Sequence, residues 1–173
     1  MNEMKNIRIE KITLNIGVGE AGDKLDKAAK LLGLITNSKV IKTKTMKRIP
    51  TWSIRPKLPI AAKATLRGKK AEEVLLRLLK AKKNVLENKK FDRFGNFSFG
   101  IREYIDIPEI EYQPDIGIIG LEVAVTLERP GFRIKRRAIP SKIGKNHMIT
   151  KEESMEFIKN KFSTKIVEKE EEE

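Results

Sequence analysis

Three glycines are the first residues in this chain whose spacing suggests chemistry. Gly17, Gly19 and Gly22 spell G-x-G-x-x-G between an alternating apolar stretch and a helical one. In that setting a dinucleotide pyrophosphate can rest on a helix N-terminus. The fingerprint also wants an acidic residue ~20 positions on to hold the ribose. None lies between Asp26 and Glu72. An Arg facing a 2′-phosphate keeps an NADP-type enzyme open as the alternative, although a Pro-rich stretch interrupts the βαβ rhythm it needs. The competing reading is a tight strand-to-helix turn that requires backbone freedom, with a helix N-terminus able to accept an RNA phosphate.

Other catalytic constellations are thinner. His147 is the single histidine and Cys is absent, so thiol chemistry, disulfides and multi-His or Cys-ligated metal sites are excluded within one chain. Gly144-Lys145-Asn146 lacks the earlier glycine and the hydroxyl of a phosphate-binding loop. Asp106, Glu109, Glu111 and Asp115 crowd a polar stretch that reads as plain surface. No enzyme, metal or cofactor is expected.

Charge is more informative. The chain has 173 residues, with Lys+Arg 37 against Asp+Glu 24, a net charge of +13. From Lys27 to Ala71 there are 13 basic residues and no acidic one, which leaves 24 of each sign elsewhere. A second acid-free run, Arg129 to Lys151, holds eight basic residues. Mixed-sign surfaces are the ordinary solution for solubility, so a single-sign stretch this long points to a polyanion. A membrane-surface protein is the weaker reading, because the cations do not fall on one basic amphipathic helix. No apolar run approaches the ~18–20 residues of a membrane span, and residues 1–10 lack the apolar core of a signal peptide. A soluble intracellular protein is expected.

The candidate binding residues lie on alternating segments. Lys11, Thr13 and Asn15 face opposite to Ile12, Leu14 and Ile16; Lys63, Thr65 and Arg67 face opposite to Ala62, Ala64 and Leu66. In one sheet these would make a polar platform, with Lys and Arg on phosphates and Thr and Asn reaching 2′-hydroxyls or base edges. Glu122 and Glu128 sit on the polar side of a third alternating segment. That strand must lie away from phosphates or pair with basic neighbours. Trp52 lies in the basic Pro-rich stretch, where it either stacks on a base or anchors the loop.

The elements that position these residues follow from the same pattern. Strands are expected near 12–18, 39–44, 60–67, 97–101 and 121–128. Ile7 and Ile9, out of phase with the first, suggest a bulge. Helices are expected from an Asp23 cap to about Thr36, from Ala71 to about Leu86, and after a Thr150–Glu153 capping box with Met155, Ile158 and Phe162 inward. Residues 45–59 should be a long basic loop and 130–146 an exposed basic linker. The fold class is α+β: an antiparallel-rich sheet with helices on one face. One domain over 1–165 and an acidic, disordered tail over 166–173 complete the layout.

Three segments together resemble one family: EKITLNIGVGEAG from Glu10, PIAAKATLRG from Pro59 and FDRFGNFSFGIREYIDIPEI from Phe91. They are similar to the L-five family of large-subunit ribosomal proteins. The stretch from Leu127 to Glu153 resembles the archaeal and eukaryotic branch. A start close to the first strand, without the longer helical N-terminus of bacterial members, points to the archaeal type. The resemblance implies a cytoplasmic ribosomal protein of the central protuberance that binds 5S rRNA beside 23S rRNA and neighbouring large-subunit proteins. It also implies contact with the small-subunit head protein thirteen and a basic loop reaching the P-site tRNA. Asn15, Thr65 and Arg67 match the family's 5S-contacting positions, and Ser38 stands where bacterial members have Gln. Residues 44–55 match the tRNA-reaching loop, with Lys44, Lys47, Arg48 and Arg55 as its charges. Pro50, Thr51 and Trp52 depart from the bacterial Gly-Phe pattern.

Overall fold

The computed structural model describes residues 2–167. Its centre is a five-stranded antiparallel sheet formed by β1 (Arg8–Gly17), β2 (Ile41–Lys44), β3 (Pro59–Leu66), β5 (Phe97–Ile101) and β6 (Leu121–Glu128), in the order β2-β3-β1-β6-β5. Two short strands, β4 (Val85–Glu87) and β7 (Lys165–Val167), pair in parallel as a separate ribbon. Three helices complete it: α1 (Asp23–Thr36), α2 (Lys69–Ala81) and α3 (Lys151–Phe162). The expected α+β class and antiparallel sheet are therefore observed.

Period-two alternation drives the layering. Ile12, Leu14 and Ile16, Ala62, Ala64 and Leu66, and Val123 and Val125 all turn to one side and are buried. The apolar stripes of α1 (Leu25, Ala28, Leu31, Leu32, Ile35) and α2 (Ala71, Val74, Leu75, Leu78, Leu79) close over that side. Burying each large side chain is worth about 1.5–3 kcal/mol. Ala62 and Ala64 are small enough for α1 to sit close on β3. The opposite face of the sheet keeps its polar side chains.

The bulge expected in β1 is present between Ile9 and Lys11. One extra residue, Glu10, lets Ile9 and Ile12 both point to the core while Arg8 and Lys11 both stay on the polar side. The last helix opens with the expected capping box: the Thr150 side chain accepts from the Glu153 N–H, and the Thr150 N–H donates to Glu153 Oε2 at 3.0 Å. Ile158 is fully buried; Met155 and Phe162 are half-buried.

Three local expectations are corrected. The cap of α1 is Gly22, not Asp23: Gly22 adopts φ 135°, and its carbonyl accepts from the Leu25 and Asp26 N–H groups. Asp23 is instead the first helical residue, where its charge complements the helix N-terminus. Helix α2 stops at Ala81, because Lys83 and Asn84 turn left-handed (φ 56° and 55°). Leu86 reaches the core from β4 and only mimics helical phase. The 130–146 segment keeps its basic side chains exposed, yet Phe132 and Ile143 are buried and tether it. The boundary expected at 165/166 falls inside β7, and the acidic residues 168–173 lie outside the described residues.

Candidate nucleic-acid interface

The helix-free face of the sheet brings the two predicted groups of residues together. Across β1 and β3 the register sets Thr13 opposite Thr65 and Asn15 opposite Lys63. Thr13 and Asn15 are half-buried in the sheet centre, while Lys63, Thr65 and Arg67 are exposed. Short polar side chains thus line a rigid floor, with longer cations at its margin. Across β1 and β6, Thr13 faces Ala124 and Asn15 faces Glu122; Gly100 and Ser98 of β5 follow. These small residues extend the floor beyond the predicted set. Their signal was already present in the alternation of 97–101 and 121–128.

Ser38 lies outside the strands of this face. It follows the left-handed cap Asn37 of α1, and its hydroxyl donates to the Thr36 carbonyl at 3.0 Å. That bond occupies its donor locally.

One end of the platform is an ion-pair hub centred on the bulge. The Glu10 carboxylate lies 3.4 Å from Arg67, 3.1 Å from Arg136 and 4.0 Å from Lys11. Glu128 sits 2.7 Å from Arg8 and 3.0 Å from the second nitrogen of Arg136. Arg136 therefore bridges both carboxylates and ties the 130–146 segment to the sheet. Four cations around two carboxylates leave a local charge of +2. Glu128 is thus neutralised by basic neighbours, one of the two outcomes the sequence left open, whereas Glu122 makes no ion pair among the described residues. Arg136 is the residue that sequence reasoning missed; only its place in an acid-free run marked it.

The basic loop, residues 45–58, is an extension of the β2–β3 hairpin rather than free coil. Thr45 N–H donates to the Leu58 carbonyl, Lys57 N–H to Thr45, and Ile49 and Ile54 exchange both backbone bonds at 3.0 and 3.1 Å. Ile54 is buried and holds the base of the tip. The tip turns through Pro50–Trp52 to Ser53 at φ 54°. Trp52 is 69% exposed, so it does not anchor the loop by burial. Lys47, Arg48 and Arg55 are exposed, and with Lys44 and Lys63 they make no ion pair among the described residues. Lys42, by contrast, is paired with Asp26 of α1.

The glycine fingerprint does different work from a dinucleotide site. The Val18 and Gly19 N–H groups both donate to the Ile60 carbonyl, at 3.0 and 2.9 Å, so the turn spends them on the sheet. Asp23 and Asp26 occupy the first turn of α1 and would repel a pyrophosphate. The strand after α1, β2, runs parallel to β1 but is separated from it by the antiparallel β3, so the two are not the adjacent parallel pair of a dinucleotide-binding βαβ unit. Among the described residues no group of three or more His, Asp or Glu side chains could hold a metal ion.

Comparison with known proteins agrees with this geometry. The family model "Ribosomal protein L5" matches residues 2–55, and the model of that ribosomal family's C-terminus matches residues 59–157. The large ribosomal subunit protein uL5 of Methanosphaera stadtmanae is 47% identical over 167 residues, covering 96% of this chain and 99% of its own. The uL5 proteins of Nanoarchaeum equitans (50% over 166 residues, 95% and 98%) and Sulfurisphaera tokodaii (48% over 170, 97% and 96%) are similar to it over the same span. A polar sheet face, a cationic hairpin and near-full-length similarity converge: the chain belongs to the ribosomal protein L5 family, the uL5 proteins of the large ribosomal subunit.

Proposed function

We propose that this protein, a structural ribosomal component and not an enzyme, holds 5S rRNA on the helix-free face of its sheet. The observation that carries the reading is the register that sets Thr13 against Thr65 and Asn15 against Lys63 on an open, rigid face. Structured RNA is read largely by shape, phosphates and 2′-hydroxyls. A floor of short polar groups fits a fixed RNA surface, and Lys11, Lys63 and Arg67 meet its phosphates. In the cytoplasmic ribosome, 23S rRNA and neighbouring large-subunit proteins surround this contact.

The loop serves a second, transient partner. Lys44, Lys47, Arg48 and Arg55 carry charge that no carboxylate of the described chain offsets, and Trp52 adds an exposed ring. Phosphate contacts of that kind are sequence-independent and readily reversed. They suit a P-site tRNA that arrives and leaves. Contact with the small-subunit head protein thirteen completes the proposed partners.

The test is affinity for 5S rRNA against an unrelated RNA of equal length, with Lys63→Glu combined with Thr65→Ala. Both side chains are exposed, so the fold should survive. Affinity for 5S rRNA should fall at least tenfold, with selectivity lost. Unchanged 5S affinity in a folded variant would remove the platform.

A further inference from the structure

Beyond the platform's centre, the same face deepens into two adjoining clefts of about 550 and 360 Å³. Both are lined by Asn15, Lys90, Phe99, Gly100 and Glu122, and the larger reaches Arg102. The register places Glu122 between Asn15 and Gly100. Two features there are unexplained by folding. Glu122 is exposed and makes no ion pair among the described residues, whereas Glu10 and Glu128 on the same face are neutralised by arginines. Gly100 has no positive φ, and a Cβ built on it meets nothing within 4 Å. Neither backbone nor packing requires glycine; what it leaves is open space beside the carboxylate.

We propose that this space is a pocket for one unpaired guanine of the bound RNA. A carboxylate without an ion-pair partner among the described residues repels phosphates, which favours a base edge over the RNA backbone at Glu122. A carboxylate only accepts hydrogen bonds. Guanine alone among the four bases offers two parallel donors, N1–H and the 2-amino group; adenine, cytosine and uracil offer one donating group each beside acceptors. Gly100 gives the ring room, and Lys90 and Arg102 meet the flanking phosphates. The volume is in the range of small-ligand clefts.

The inference rests on the platform reading, and the test separates the two. The full-length protein is titrated with GMP, AMP, CMP and UMP while its backbone amide spectrum is followed. GMP should shift the amides of 98–102 and 121–124 at millimolar concentration, with at least fivefold preference over UMP. Glu122→Gln should abolish that preference, and Gly100→Val, whose Cβ meets nothing within 4 Å, should abolish the shifts. Gly100→Val should also weaken 5S rRNA binding about tenfold. An equal response to all four nucleotides, or none, would overturn the pocket. So would full 5S affinity in a folded Gly100→Val protein. If Lys63→Glu with Thr65→Ala lowers 5S affinity while Gly100→Val does not, the pocket falls and the platform stands. If neither lowers it, both fall.

Discussion

Arg129 is buried, and its guanidinium must be satisfied inside the protein. It donates to the carbonyls of His147 and Met148 and pairs with Glu153 at 2.7 Å. Glu153 is also the carboxylate of the α3 capping box. The Thr150 N–H, and then Arg129, hold its carboxyl below the usual range, against an opposing push from burial. A depressed folded-state pKa adds stability that is complete above the unfolded value, about 4.3, and is lost as pH falls through the folded value. Glu153→Gln keeps the cap's hydrogen-bonding shape but removes the charge. It should cost about 1–3 kcal/mol at pH 7 by weakening the bond to a buried guanidinium. The gap to wild type should narrow as pH falls below the unfolded value and through the lowered folded one; urea midpoints at pH 7 and pH 3 measure the change. Glycine supplies a second contrast at this scale. Gly95 has φ 77°, and an added Cβ would lie 2.6 Å from Ile149 Cγ2. Gly19 has φ 83° but open space around it. Gly95→Ala should therefore cost roughly 1–3 kcal/mol more than Gly19→Ala, the difference being overpacking rather than backbone strain. Equal melting points would contradict that separation.

At the scale of elements, the strands were the legible part. Half-buried antiparallel strands write their exposure as alternation, so Lys11, Thr13 and Asn15 were legible as the polar side of one strand and Lys63, Thr65 and Arg67 as that of another. What period two cannot show is which partner a strand chooses. The register of Thr13 with Thr65, and the place of Gly100 beside Glu122, come from tertiary pairing. Helix ends were less legible. Leu86 kept the phase of α2 by its seven-residue spacing from Leu79, although Lys83 and Asn84 had already turned the chain. Ser38 was placed by resemblance, but a local bond to Thr36 occupies its hydroxyl. The hub residue Arg136 was invisible because it meets Glu10, at the other end of the chain, and Glu128, on a neighbouring strand, only in space. The β2–β3 hairpin extension carries its own prediction. Its cations make no ion pair among the described residues and lie off the platform, so Lys47→Ala with Arg48→Ala should leave 5S affinity within twofold while weakening tRNA or ribosome association severalfold. An equal fall in 5S binding would show that loop and platform are one surface. Ile54→Ala should speed amide exchange at Ile49 and Ile54 relative to β3, because the buried side chain is what holds the tip's ladder together.

Across the whole molecule, charge is sorted by its freedom to move. The acid-free stretch contributes β2, the hairpin extension and β3, where most cations face solvent without carboxylate partners. At the far end of the sheet, Glu10 and Glu128 hold Arg8, Arg67 and Arg136 in fixed geometry. A free cation that neutralises a phosphate releases a condensed counterion; one already paired with a carboxylate must first give up part of that pairing. The two kinds are therefore separable by salt. Removing Lys63, exposed and unpaired, should lower the slope of log affinity for 5S rRNA against log salt by about 0.7–0.9, the value for one phosphate contact on simpler nucleic acids. Removing Arg67 frees Glu10 from one of its cations, so the variant loses a positive charge and exposes more of a negative one. Arg67→Ala should thus reduce affinity at least as much as Lys63→Ala, yet change the slope by less than one phosphate contact, because Arg67 already shares its charge with Glu10 and the rest of the loss is the geometry which that pair fixes. Matched salt series on the two variants decide the matter. If both slopes fall by the same amount, Arg67 acts as a plain phosphate cation, and the hub orients nothing that the RNA reads.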